Sequence, residues 1–248
     1  MSSPVLFLCY NRTPEQLTLS QNALASIFTQ DIPVEVFGID NGSTSETWSW
    51  MESMAEQHPN FACFRNMENV SPVKVSNFWL EEMFGRMGYQ YVLGVPNDVR
   101  LPSNCYSQLL RWPRGFVSAS DIGQTEPTVY DAVAVNENTP MAVMLTRKWA
   151  WEAIMAKDGY FFDEGFVHYA SDCCLALRMA ACGIRGVQTN VPFWHYGSAS
   201  WRLSPDGSAM TAQADKDRAY FERKYGFSVS DPRYQQSAAD INFKGVGR

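Results

Sequence analysis

The sequence predicts an α/β fold, a single domain with a mostly parallel central sheet and helices on both faces. Three observations predict it. The first 110 residues alternate apolar runs with helical segments, the pattern of parallel strands joined by crossover helices. The runs at Val5–Tyr10 and Tyr91–Val95 read as buried strands. The 248-residue chain is 46% hydrophobic, enough for a substantial core.

The elements follow in order. Val5–Tyr10 is the first strand. Thr13 suits an N-cap, Pro14 suits the first helical position, and Gln16 completes a capping box. Leu17, Leu24, Ile27 and Phe28 then share one helix face. Val34–Ile39 is a second strand, closed by a turn at Asp40-Asn41-Gly42. A helix is expected over Ser45–Gln57, a strand over Phe61–Phe64, a helix over Val75–Met87, and a strand ending at Asp98. The second half is less regular. Gly115–Ala119, Val129–Val135 and Met141–Thr146 read as strands and Arg147–Lys157 as a helix. Tyr169–Cys182 reads as a helix closed by Gly183. Val187–Thr189 and Pro192–Tyr196 are short extended pieces, Gly197–Gly207 is a loop, and Thr211–Tyr225 is a last helix ending at Gly226. This divides the domain into a nucleotide-binding half (1–110), an acceptor and catalytic half (111–205) and a C-terminal helix and tail (206–248).

Composition narrows the function. No run of 18 apolar residues suggests a membrane span, and the N-terminus lacks the basic and apolar regions of a signal peptide, so a cytoplasmic protein is expected. The six cysteines form no C-x-x-C pair and are expected as free thiols. A net charge of −6 argues against a broad nucleic-acid footprint. From Trp201 onward there are eight Lys/Arg against six Asp/Glu, a local excess that could meet an anionic acceptor or simply be a solvated face.

The chemistry concentrates where strands end. Asp98 follows an apolar strand and an Asn97, the place where α/β sheets hold ligands. It reads as a ligand for a hard cation, Mn²⁺ or Mg²⁺, or as a capping aspartate. Tyr10, Asn11 and Arg12 close the first strand before a capped helix, whose free N–H groups suit an anion, or form only an ordinary βα turn. Asp40 and Asn41 close the second and could bond a base or ribose, or only form a turn. Asp172 lies among Cys173, Cys174, Leu175 and Leu177. It reads as a pocket carboxylate able to take a proton from an attacking hydroxyl, or as a salt-bridge partner of Arg178 or Arg185. His195 could complete a metal's coordination, or be an ordinary packed or exposed histidine. The contexts of His58, His168 and His195 look unrelated, which argues against a three-histidine zinc site.

From Val5 to Ser200 the motif order resembles the GT-A glycosyltransferases of family 2. Tyr10-Asn11-Arg12 looks like that family's first strand end, and Ser26-Ile27-Phe28-Thr29-Gln30 like its Ser-Leu-x-x-Gln helix end. Ile39-Asp40-Asn41-Gly42-Ser43 looks like its base-contacting turn. Asn97-Asp98-Val99 looks like a form of its metal-binding D-x-D motif. Phe162-Asp163-Glu164, Ser171-Asp172 and Leu175-Ala176-Leu177-Arg178 look like its Phe-Asp-Glu and Glu-Asp block, and His195-Tyr196-Gly197-Ser198 like its late His motif.

The resemblance implies a GT-A (Rossmann-like) fold and an inverting, metal-dependent hexosyl or pentosyl transfer from a nucleotide diphosphate sugar, expected to be a UDP-sugar. It implies Asp172 as general base and Asp98 and His195 as metal ligands. Donor contacts would come from Tyr10, Asn11, Arg12, Asp40, Asn41, Lys74, Asn77 and Asn97, and acceptor-side contacts from Asp163, Glu164, Trp194 and Trp201. The acceptor stays open between glycan, lipid-linked sugar, protein and modified nucleic acid. The chain departs from the pattern at Pro96 and Asn97, at Ser171 and at Cys174, where the family carries acids. A nucleotide-sugar binding module without strong catalysis is therefore one alternative, and a nucleotidyltransferase another. The Gly/Ser-rich loop after His195 suggests a lid over bound donor.

Overall fold

The computed structural model describes residues 2–124, the strand course of 134–137, and residues 142–197, 202, 203, 205 and 207–234. Strand β1 (Ser3–Cys9) leads into helix α1 (Pro14–Phe28). Thr13 and Gln16 form the expected capping box at its start, with Pro14 in its first turn. Then come β2 (Val34–Asn41), α2 (Ser45–Gln57), β3 (Phe61–Asn66) and α3 (Pro72–Glu81), which runs on into a π-helical turn over Glu82–Arg86. Strand β4 (Tyr91–Pro96) is followed by the two-residue β5 (Val99–Arg100) and the short α4 (Cys105–Leu110). The second half comprises β6 (Phe116–Asp121), β7 (Ala134–Glu137), β8 (Met144–Arg147), α5 (Lys148–Asp158), α6 (Ser171–Ala181), β9 (Gly186–His195) and a helix here called α7 (Gly207–Tyr225).

Among the described residues, nine strands form one sheet in the order β3-β2-β1-β4-β8-β6-β9-β5, with β7 paired to β9. Period-two burial puts a core on each face. On β1, Val5, Phe7 and Cys9 enter one cluster with Leu24 and Ile27 of α1, while Leu6 enters the other with Trp79 and Leu80 of α3. Later helices follow suit: Tyr106 and Leu109 of α4 join the first face, and Ile154 of α5 and Leu175 of α6 the second. A fully buried side chain such as Phe7 contributes about 2 kcal/mol. A third cluster joins Phe221 of α7 to Phe166, Cys174 and Leu177.

The expectation of a mostly parallel sheet holds for β3, β2, β1 and β4. Beyond them the sheet is mixed. β8 pairs antiparallel with both β4 and β6, and β9 pairs parallel with β6 but antiparallel with β5 and β7. The reason is connectivity. No described helix separates β6, β7 and β8, and without a crossover helix a returning strand runs antiparallel.

Other expectations change in detail. The two extended pieces at 187–196 are one strand, β9, interrupted by an irregularity. Ser118 of β6 opposes Gln188, but Ser120 opposes Pro192. Buried Thr189 staples this shift: Ser120 Oγ donates to its carbonyl at 2.6 Å, and its own hydroxyl donates to Ser118 O at 3.1 Å. Helix α6 starts at Ser171, which puts Asp172 in its first turn instead of its interior. Gly183 ends it with φ 69°, and Ile184 N–H donates to Met179 O at 2.9 Å, closing a Schellman-type cap. The expected strand at 129–135 lies outside the described residues up to Ala134, and the proposed lid at 197–207 lies mostly outside them too. All six cysteines are free thiols. Among the described residues, no helix is long and apolar enough to cross a membrane.

Candidate functional site

The C-terminal ends of β1, β2 and β4 converge, as a parallel sheet requires. Asn11 is fully buried there. Its side chain forms a closed triangle with those of Ser20 and Asn97, with edges of 2.9, 2.9 and 3.0 Å. Its backbone N–H donates to Ser43 Oγ at 2.8 Å, and its carbonyl accepts from Thr44 N–H at 3.1 Å. So Asn11 and Asn97 tie three strand ends together. Tyr10 and Arg12 flank this knot. Arg12 is exposed, with Nη1 at 3.5 Å from the Tyr10 hydroxyl.

Asp40 and Asn41 end β2 in full burial. Asp40 Oδ1 accepts from Ser43 N–H at 2.9 Å, while Oδ2 lies 3.3 Å from Arg65 Nε as an ion pair and accepts no hydrogen bond. Asn41 is a hub. Its amide nitrogen donates to Asn69 Oδ1 at 3.1 Å and Val70 O at 2.7 Å; its oxygen accepts from Asn66 Nδ2 at 2.8 Å and Val70 N–H at 3.2 Å. Gly42 makes this packing feasible. Its φ is 78°, and a Cβ there would lie 2.4 Å from the Glu68 carbonyl carbon. Asn77 is used in a similar way: it donates to Phe162 O at 2.8 Å and Glu164 Oε1 at 3.2 Å, and accepts from Phe162 N–H at 2.8 Å. Lys74 is exposed on the wall of a groove of about 460 Å³ lined by Phe64, Asn66, Val70, Phe78 and Trp79.

Asp98 and His195 meet across the β5–β9 pairing. His195 Nε2 lies 3.5 Å from Asp98 Oδ2, and its Nδ1 lies 2.7 Å from Asp121 Oδ2. Backbone contacts fix both partners: Tyr196 N–H donates to Asp98 O at 3.0 Å and His195 N–H to Gly123 O at 2.7 Å. Burial alone would lower the imidazole, but hydrogen bonds to and charge on Asp98, then Asp121, outweigh it and raise it to about 9. Sequence reasoning missed Asp121, which is 74 residues from its partner. Only the pairing of β6 beside β9 brings it there.

Asp172 opens α6 from a recess. Its side chain reaches solvent, yet the protein around it is dense enough that burial raises the carboxyl above its usual range, against the pull of the Cys173 N–H at 2.8 Å and of His168. Arg178 is not its partner. That guanidinium pairs with Asp158 at 2.7 Å and donates to the carbonyls of Tyr160 and Phe161. His168 is lowered by burial despite the opposing charges of Asp217, Asp98 and Asp172. The charges of both Asp98 and Asp172 thus reach it. The histidine contexts that look unrelated in sequence share a carboxylate: Asp98 touches His195 and acts on His168. His58 stands apart, stacked on Phe28 at 4.4 Å.

The backbone before Asp172 is unusual. Ala170 is left-handed, φ 58° and ψ 3°, the only described non-glycine residue with positive φ. Such a residue costs about 1–2 kcal/mol. The loop leading to it is held by Asp217 of α7, which sequence reasoning also missed.

The acceptor-side candidates are dispersed. Asp163 is buried and spent on Lys224, the Tyr220 hydroxyl at 3.3 Å and Gly165 N–H at 2.9 Å. Glu164 is exposed and accepts from Asn77. Trp194 is half-buried, with the Arg100 guanidinium 4.6 Å from its ring centre. Trp201 lies outside the described residues. Among the described residues, no group of three or more His, Cys, Asp or Glu side chains is arranged to hold a metal ion unaided.

No protein-family model matches this chain, and no curated protein matches it by sequence. Solved structures match its fold. A mannosyltransferase from Pyrobaculum calidifontis, PcManGT, in complex with GDP-Man and Mn²⁺, superposes with a TM-score of 0.59 and 18% identity over 96% of this chain and 73% of that one. TarS 1–349 from S. aureus in complex with UDP-GlcNAc gives a TM-score of 0.55 and 15% identity over 97% and 79%. Its complex with UDP gives 0.57 and 16% over 93% and 74%. At these identities the likeness establishes the fold: the chain is built as these nucleotide- and nucleotide-sugar-binding proteins are.

Proposed function

We propose that this protein is a nucleotide-sugar-dependent glycosyltransferase of the GT-A type, acting by inversion. One observation carries the reading: Asp98, just past the C-terminal end of β4, pairs with His195 in a fold whose neighbours hold UDP, UDP-GlcNAc and GDP-Man, and its charge and that of Asp172 both act on His168. UDP-sugars are the first donors to test.

The donor set fits a hard divalent cation in part. His195 Nδ1 is held by Asp121, which leaves Nε2 turned toward Asp98, the carboxylate–histidine arrangement that orients metal ligands. Asp98 and His195 would hold Mn²⁺ or Mg²⁺, with remaining positions left to phosphate oxygens and water. When bound, the ion would offset charge on the departing diphosphate. The residues themselves do the rest. Asp40 is held in the nucleoside half by the Ser43 N–H and Arg65. Arg12, exposed beside Tyr10, would meet phosphate. Asp172, its carboxyl raised by its recess, would take the proton from the acceptor hydroxyl as that oxygen attacks the anomeric carbon.

A second reading, a nucleotide-sugar binding module, is favoured by the small number of acids at the Asp98 site. A thermal-shift panel of UDP-, GDP-, dTDP- and CDP-sugars, with and without Mn²⁺, tests both. The transferase reading expects one nucleotide to raise Tm in a metal-dependent way and Asp98→Ala to abolish the metal-dependent part. A shift with no turnover on any acceptor or water supports the binding module. No shift with any donor rejects both.

A further inference from the structure

We propose that Asp217, on α7, is a positioning residue for Asp172: its buried carboxylate gathers three consecutive backbone N–H groups and fixes the loop that launches α6. The inference rests on the role given to Asp172 above. Asp217 is 2% exposed. Its Oδ1 accepts from Val167 N–H at 3.1 Å and from Gln213 Nε2 at 2.8 Å; its Oδ2 accepts from His168 N–H at 2.9 Å and Tyr169 N–H at 2.8 Å. Successive N–H groups converging in this way make an anion-binding concavity, and here a carboxylate from a distant helix fills it. The next residue, Ala170, is the left-handed one, and Asp172 follows two residues later. The clamp thus offsets the cost of the turn that starts α6 and sets the backbone of both His168 and Asp172.

The geometry also explains why an anion is needed. Each oxygen of Asp217 serves two donors. An asparagine in either amide orientation would present its own N–H₂ to one of those pairs, so Asp217→Asn leaves at least one backbone donor unpaired while preserving shape. A bland role, simply anchoring α7, makes a different prediction. It lowers Tm and leaves the chemistry alone below that temperature.

The test uses the full chain with Mn²⁺ and two probes, UDP-N-acetylglucosamine and GDP-mannose. It measures nucleoside diphosphate release with water as acceptor. Asp217→Asn should reduce turnover roughly 10–100-fold, the penalty of a displaced reacting group, with the donor-induced thermal shift retained. Ala170→Gly added to it should recover part of the loss, because glycine takes positive φ without a Cβ penalty and no charge is restored. Unchanged turnover in Asp217→Asn, or no recovery in the double variant, overturns the proposal. If Asp217→Asn does not fold, Gln213→Ala removes one of the four donors and should give the same pattern at smaller amplitude; unchanged turnover there counts against the clamp.

Should the wild type release nucleotide from neither probe, the failure belongs to the reading of Asp172 as base, and the clamp is read without substrate. The ¹³C carboxyl resonance of Asp172, assigned by its absence in Asp172→Asn, is titrated. The groups facing it are His168 from the loop, Cys173 from its own helix and Tyr234 beyond α7. Displacement from the recess should move the titration in Asp217→Asn toward the ordinary aspartate range and return it in the Ala170→Gly double variant. Loss of the Asp217 charge alone would shift both variants equally, and that result, like no shift at all, overturns positioning.

Discussion

The two halves of the sheet hold their polar residues by different means. At the ends of β1, β2 and β4, beside one ion pair of Asp40 with Arg65, neutral amides and a hydroxyl do most of the holding: Asn11 with Ser20 and Asn97, Asn41 with Asn66, Asn69 and Val70. Beyond β4, ionisable groups do the holding: His195 between two aspartates, Asp217 under a loop, Asp163 against Lys224. Neutral networks are strong when complete and change little with pH. Charged ones can move a proton. The first half is therefore a frame, and the second is where chemistry can be tuned.

The largest expected break in that comparison is Asp172→Asn. Removing a general base should cost roughly 10²–10⁴-fold in turnover. Stability should hold or rise slightly, because burial raises the folded carboxyl and the fold thus disfavours its charge. Steady-state kinetics beside a melting curve measures both; an equal loss of stability would place Asp172 in the frame instead. Next comes Asn41→Ala. It leaves two donors and two acceptors without partners in a buried site, at about 2–4 kcal/mol, read by urea unfolding, and that loss should be the same at pH 5 and pH 8.

The smallest effect sharpens the contrast by pH. Hydrogen bonds from Lys224 and Gly165 N–H outweigh burial and hold the Asp163 carboxyl below its usual range. A depressed carboxyl stabilises the fold above its unfolded value and loses that contribution as pH falls through the folded one. Lys224 is raised by Asp163 against burial, so its share persists at neutral pH and fades only as pH rises above the usual lysine range. Asp163→Asn should cost about 1 kcal/mol at pH 7 and nothing once pH lies below both Asp163 values. Denaturation midpoints across pH 2–7 measure it.

Much of the frame was legible in the sequence because it is local. Thr13, Pro14 and Gln16 announce α1 within four residues, and Gly42 announces a turn that only positive φ completes. Asp98, Asp172 and His195 stand out as polar groups in apolar surroundings. What was not legible depends on distance along the chain. Asp121 needs β6 laid beside β9, and Asp217 needs α7 folded back over residues 167–169. Neither carries a local signal; Asp217 looks like any charge on a polar helix. β5 and α4 are too short for periodicity to register. The amides of Asn41 and Asn77 look like ligand contacts in sequence, and their hydrogen bonds are consumed within the fold.

The irregularity in β9 sets how far His195 reaches. Two residues of β6, from Ser118 to Ser120, are matched by four of β9, from Gln188 to Pro192. The surplus is even, so the alternation of faces survives it, while the strand end is displaced by up to about 7 Å at 3.3 Å per residue. An odd surplus would turn the imidazole to the opposite side of the sheet. Regular pairing of the same residues would carry it about two positions past Asp98. Parity and reach are thus written into one short stretch around Thr189, so a family of sequences could vary the identity of every residue there and still be held to its length.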